Sequence, residues 1–86
     1  MTKEVDVAII GGGPAGIAAS IQMERSGLNP LLIEASDLGG LLRNANLVEN
    51  YPGFPKGISG VRLAKLFAQQ LKEVGVQPLY EKVVHL

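Results

Sequence analysis

An α/β fold built on a parallel sheet is what this sequence predicts, and three observations predict it. An apolar, β-branched run (Val5, Val7, Ile9, Ile10) leads straight into Gly11, Gly12 and Gly13. A helical stretch rich in small side chains follows, and a second apolar segment over 30–33 then closes on Glu34. Strand, helix and strand in that order form a β-α-β unit, whose crossover between parallel strands is right-handed in nearly all cases.

The first strand is almost continuously apolar from Val7, the pattern of a strand covered on both faces at the centre of a parallel sheet. Pro14 suits the first turn of the helix, where its missing N–H has no partner to lose, and Gly27 suits the left-handed position just past the end. Ala15, Ala18, Ala19 and Gln22 share one face of that helix, so small side chains are expected to bring its axis close to the sheet. Periodicity disappears from Ala35 to Ile58. A connection of that length without structure of its own is uncommon and is usually functional or hides an element, and a ligand or partner loop is the favoured reading. A second helix is expected after Ser59, with Val61, Ala64, Phe67, Ala68, Leu71 and Val74 at helical steps and Leu63, Leu66 and Gln70 flanking them. Arg62, Lys65, Gln69, Lys72 and Glu73 take its opposite side, and Gly75 ends it. A third strand is expected over 76–80 and a fourth opening at 83–86, so the chain stops inside an element.

Composition removes several classes of function. The 86 residues contain no cysteine, which excludes a disulfide, a thiolate zinc site or a Cys-x-x-Cys redox pair within them. Eight basic and eight acidic side chains sum to zero, which gives no electrostatic reason to expect nucleic acid or an anionic membrane as partner. No apolar run approaches the roughly 18 residues of a membrane span, and acids interrupt the start as no secretory signal allows. A cytoplasmic chain is the expectation. One folding unit over 1–86 is assigned, and a chain this small buries only about 60% of its unfolded surface.

Gly11, Gly13 and Gly16 satisfy G-x-G-x-x-G. Gly11 permits the sharp turn from strand to helix, Gly13 lets backbone approach a pyrophosphate, and Gly16 lets the helix lie against the strand. Helix-start amides around Pro14 and Ala15 then face the phosphates, helped by the helix dipole. Glu34, at the end of the second strand, can accept hydrogen bonds from both ribose hydroxyls of an adenosine and disfavours a 2′-phosphate. An isolated glycine match reads equally well as a plain turn. Here it follows a buried-type strand, opens a small-faced helix and precedes a strand ending in an acid, so a Rossmann-like dinucleotide site is the reading taken.

The run from Val5 to Gly16 resembles the amino-terminal strand and turn of flavoproteins with two dinucleotide domains. Gly39-Gly40-Leu41-Leu42, then Val48-Glu49-Asn50-Tyr51-Pro52-Gly53-Phe54-Pro55 and Ile58-Ser59-Gly60, resemble the low-molecular-weight thioredoxin reductase family and its close flavoprotein relatives. The resemblance covers essentially the whole chain yet corresponds to the amino-terminal part of the FAD domain. It implies FAD as cofactor, with the pyrophosphate at Gly11 to Gly16, the adenosine ribose at Glu34 and Ala35, the loop close to the cofactor at Gly39 and Gly40, and Asn50 towards the flavin end. It also implies a partial FAD-binding domain: the rest of that domain, the NAD(P)H domain and the redox-active dithiol lie further along the family's chains, and no catalytic residue is assigned here. Leu41 departs from the family, which commonly has Gln there, and removes one polar cofactor contact.

Two other readings compete. One is a non-catalytic adenine-nucleotide module completed by self-association or a partner chain, and the other is an ordinary NAD-linked domain that leaves the loop unexplained. His85, the only histidine, has no companion at ligand spacing, reads as a strand residue and supports no metal site. Ser20, Ser26, Ser36 and Ser59 have no histidine in a nucleophile arrangement. Arg43 reads first as a solvated loop cation and second as a contact to a phosphate or a partner's acid. Tyr51 and Phe54 suit a flavin wall, an interface or a pin to the core equally well.

Overall fold

In the computed structural model, residues 4–84 are described. Strand β1 (Val7–Ile10) feeds helix α1 (Pro14–Arg25), which returns to β2 (Pro30–Glu34). A 3₁₀ turn (Gly40–Asn44) and a long loop lead to helix α2 (Gly60–Glu73) and the short strand β3 (Leu79–Tyr80). The strands form one parallel sheet in the order β1-β2-β3, with Val7 opposite Pro30 and Ile10 opposite Ile33 in the first pair. Ile33 and Glu34 pair with Leu79 and Tyr80 in the second. The predicted α/β class and the three-stranded parallel core are therefore present.

Asp6 and Asn29 fix where β1 and β2 begin. The Asp6 amide donates to the Asn29 carbonyl at 2.8 Å, and Asp6 Oδ2 accepts from the Asn29 amide at 2.6 Å. Helix α1 stops where Ser26 turns and Gly27 takes φ +82°, a conformation that glycine reaches at little cost.

Both helices lie on one face of the sheet. Ile17 of α1, Leu32 of β2, Leu71 of α2 and Val76 form a buried cluster, with Ile9, Ile21, Leu38, Phe67 and Val74 packed against it. A second cluster of Val48, Ile58 and Leu63 gathers Leu42, Ala45, Tyr51 and Phe54, and Phe67 touches both clusters. Tyr51 and Phe54 thus pin the loop to the core, Tyr51 lying 5.3 Å from the Phe67 ring at 55°.

Several expectations need correction. Helix α1 buries Gly16's side of the helix through Ile17 and Ser20, while Ala15, Ala18 and Gln22 are exposed and Ala19 is half-buried. The reason is that Gly16 seats against the Gly11 carbonyl, which sets the rotation of the helix about its axis. Strand β1 is an edge strand among the described residues, pairing with β2 alone, and Ile10 is 51% exposed because both helices cover the opposite face of the sheet. The central strand is β2, whose Leu32 is fully buried. The stretch over 35–58 holds a 3₁₀ turn and an antiparallel bridge between Val48 and Ile58 that apolar periodicity does not reveal. Strand β3 is only two residues long: Val76 leaves the ladder and enters the core instead. On α2, Leu63 and not Val61 is the buried member of the first turn, with Val61 exposed. Residues 81–84 have no regular structure, and the rest of the expected fourth strand, with His85, lies outside the described residues.

Candidate functional site

Gly11 leaves β1 with φ +102°, and its amide donates to the Ile33 carbonyl at 2.8 Å, so the turn is tied to β2 at its first residue. Gly12 is the junction. Its amide donates to Glu34 Oε1 at 2.8 Å, and its carbonyl accepts from the Gly39 amide at 2.7 Å. A side chain on Gly12 would meet Leu38 Cδ2 at 2.6 Å and Glu34 Cβ at 3.3 Å. This glycine occupies a variable position of the motif and so escaped the sequence reading; three successive glycines were the available sign.

Gly13 has an open neighbourhood: a Cβ there would meet nothing within 4 Å. It is also the residue before α1, which starts with no side-chain cap and no acid in its first turn. The first amides of α1 are thus left without a side-chain acceptor, and the helix dipole adds partial positive charge at the same place. Gly16 lies one turn further on, where any side chain would overlap the Gly11 carbonyl oxygen. Ser20, buried, donates from Oγ to the Gly16 carbonyl at 2.8 Å, which satisfies its hydroxyl and gives it a structural place.

Glu34 uses both carboxylate oxygens, Oε1 with Gly12 and Oε2 with the Ser36 amide at 2.7 Å. Charge-assisted bonds of this kind are the stronger ones and fix the carboxylate's plane, while each oxygen keeps a second lone pair for a hydroxyl. Beside it opens a groove of about 280 Å³ lined by Glu34, Ser36, Asp37, Gly40, Arg43 and Asn44. Gly40 joins the two ends, since a Cβ on it would sit 3.4 Å from Gly13 Cα.

The structure therefore brings together Gly11, Gly13, Pro14, Ala15 and Gly16 at the helix start, Glu34 and Ala35 at the end of β2, and Gly39 and Gly40 between them. Asn50 is apart: it is exposed in the long loop and does not line the groove. Leu41 is 86% exposed, at the position where a polar contact was missing. Asp37, Arg43 and Asn44 join the site only in three dimensions, because the 3₁₀ turn folds 40–44 back over 34–37.

The cradle fits a dinucleotide: open backbone at a helix start for phosphate, and a fixed carboxylate for ribose. The family described as "FAD dependent oxidoreductase" matches residues 6–84. Thioredoxin reductase of Rickettsia typhi is 46% identical over 77 residues, covering 90% of this chain and 25% of that protein. Thioredoxin reductase of Aquifex aeolicus is 39% identical over 82 residues, 95% of this chain and 25% of that protein. Among solved structures, Lactococcus lactis thioredoxin reductase superposes with a TM-score of 0.84 at 40% identity over 90% of this chain and 25% of its own. A ferredoxin-flavin thioredoxin reductase from Clostridium acetobutylicum does so with 0.86 at 33% identity, over 95% of this chain and 28% of its own. The chain spans about a quarter of the length of these relatives.

Proposed function

This chain belongs to the FAD-dependent oxidoreductase family, and from that membership we propose that it holds the pyrophosphate and adenosine ribose of FAD within a thioredoxin-reductase-like, NAD(P)H-dependent flavoprotein. Gly11, Gly13, Pro14, Ala15 and Gly16 receive the pyrophosphate on backbone, Glu34 and Ala35 the ribose, and Gly39 and Gly40 close the loop against it. Asn50, exposed in the long loop, serves the flavin end. When bound, FAD supplies the redox chemistry, accepting hydride from a nicotinamide and passing electrons to an acceptor. The protein's part is to bind and orient: amides of α1 neutralise phosphate charge, and Glu34 selects an unmodified ribose.

The observation that carries this reading is Glu34 bound to the Gly12 amide beside an uncapped α1. A generic turn has no need of a carboxylate held 22 residues away along the chain.

Residues 1–86 on this reading form the amino-terminal part of an FAD-binding domain. Its partners are the remainder of that domain and an NAD(P)H domain, in the same chain or another. An uncovered apolar sheet face supports this: Ile10, Ile33 and Leu79 form one row across the strands, and Leu79 is 41% exposed. No described helix is long and apolar enough to cross a membrane, and a cytoplasmic place is part of the proposal. The same open face favours a second reading, a non-catalytic nucleotide module completed by a further copy or another polypeptide.

Mixing the purified chain with FAD and with the remaining segment of a two-domain thioredoxin reductase should quench flavin fluorescence and retain yellow absorbance after gel filtration. Failure to retain FAD under those conditions overturns the proposal. Retention of nucleotide by a self-associated chain, without any reductase segment, selects the second reading.

A further inference from the structure

The geometry points to Arg43 as the side-chain cation that holds the FAD pyrophosphate, a specificity-determining residue outside the glycine motif. This rests on the reading that the chain binds FAD. Arg43 is half-buried in the 3₁₀ turn and lines the groove together with Glu34 and Gly40, the residues nearest the ribose carboxylate and the Gly13 backbone. Its stem packs on the loop that closes the site, with Cγ 3.1 Å from where a Cβ on Gly39 would stand. The guanidinium makes one long hydrogen bond among the described residues, from Nη1 to the Leu38 carbonyl at 3.5 Å. A guanidinium has five N–H donors in a planar fork that matches phosphate oxygens, so most of its capacity is unspent.

Charge gives the reason for a cation here. The groove carries two carboxylates, Glu34 and Asp37, and among the described residues Arg43 is the one basic side chain lining it. A dianionic pyrophosphate held at the start of α1, where Gly40 abuts Gly13, has helix-start amides on one side and the groove's acids on the other. The amides alone do not offset both the phosphate and the acids, whereas Arg43 brings the groove's own balance from two negative charges to one. Adenosine, which ends at the ribose, has no such need. Arg43 therefore discriminates by phosphate content, and Glu34 by the ribose.

The test compares ADP, adenosine and FAD binding to the full 86-residue chain, mixed with the remaining FAD-domain segment of a two-domain thioredoxin reductase, by titration calorimetry at low and high salt, for the unsubstituted chain, Arg43→Gln and Arg43→Lys. Gln keeps the stem and its packing while removing the charge. Arg43→Gln should weaken ADP and FAD by about tenfold, the size of one charge-assisted bond, and leave adenosine within about twofold. Arg43→Lys should recover part of the loss, and the salt dependence of ADP binding should shrink in Arg43→Gln. Equal ADP affinity in Arg43→Gln overturns the role of Arg43 while leaving FAD binding intact. Equal losses for ADP and adenosine also overturn it, because a packing role has no preference for phosphate. If the unsubstituted chain, with that segment present, binds none of the three, the FAD reading falls and this inference with it.

Discussion

The two helices begin in opposite ways. Helix α2 starts behind Ser59, whose Oγ accepts from the Arg62 amide at 3.2 Å, and the Leu63 amide donates to the Ser59 carbonyl at 3.0 Å. Helix α1 starts behind Gly13 with no side chain to take its free amides. Both starts are also pressed against backbone: a side chain on Gly60 would overlap the Leu42 carbonyl, just as one on Gly16 would overlap that of Gly11. The packing demand is shared, and the capping is not. A helix start that only supports the fold satisfies its own amides, and one that serves a ligand leaves them free. The contrast teaches that the steric glycines locate close packing in general, while the missing cap is particular to the start of α1, where we propose that an anion is received.

The strongest way to break this comparison is to add a methyl group at the shared feature. Gly16→Ala and Gly60→Ala should each cost about 4 kcal/mol, the size of effect reached when a side chain is forced into backbone that cannot yield. Urea unfolding monitored by circular dichroism checks this, and a loss under 1 kcal/mol in either variant would mean that the two contacts are not equivalent. Capping separates the helices at a smaller scale. Ser59→Ala should lower stability by about 1 kcal/mol through the orphaned Arg62 amide and leave FAD affinity unchanged. Gly13→Ser gives the smallest change in stability and the opposite sign. Because Gly13 has φ −75° and open space around it, serine fits and should add a few tenths of a kcal/mol by capping α1. The same hydroxyl then competes with the phosphate, so FAD retention should fall while the midpoint of unfolding rises. A Gly13→Ser chain with unaltered FAD affinity would remove the functional meaning of the missing cap.

Much of the candidate site was legible from residue types because its requirements are local. A strand must turn abruptly into a helix, which asks for Gly11; backbone must stay open, which asks for Gly13; and Glu34 ends a recognisable strand. Ser59 and Gly75 bounded α2 for the same local reasons, and Gly75 has φ +88°. Asp37 was not legible as a groove residue and Arg43 only as the second of two readings, since a five-residue 3₁₀ turn leaves too short a pattern to read and only its fold-back puts them beside Glu34. Gly12 was hidden by the motif's own permissiveness at that position.

The long loop shows the same division. Its aromatic and proline residues were visible, yet whether Tyr51 faced a cofactor or the core depended on Phe67, 16 residues away, being turned towards it by α2. The rotation of α1 was undecided too. Alanines and Ile17 offer alternative faces of similar apolarity, and the contact of Gly16 with the Gly11 carbonyl chose between them.

By itself the sequence determined the β-α-β order, the glycine turn, the acid that ends β2 and the helix ends, because each depends on backbone freedom or hydrogen bonding within a few residues. Tertiary structure alone decided that Glu34 clamps Gly12 and Ser36, that Arg43 meets the groove, that β3 shrinks to two residues as Val76 turns into the core, and that one sheet face stays open among the described residues. Those outcomes depend on contacts between segments distant in the chain, where packing against one neighbour outweighs local preference for any single residue.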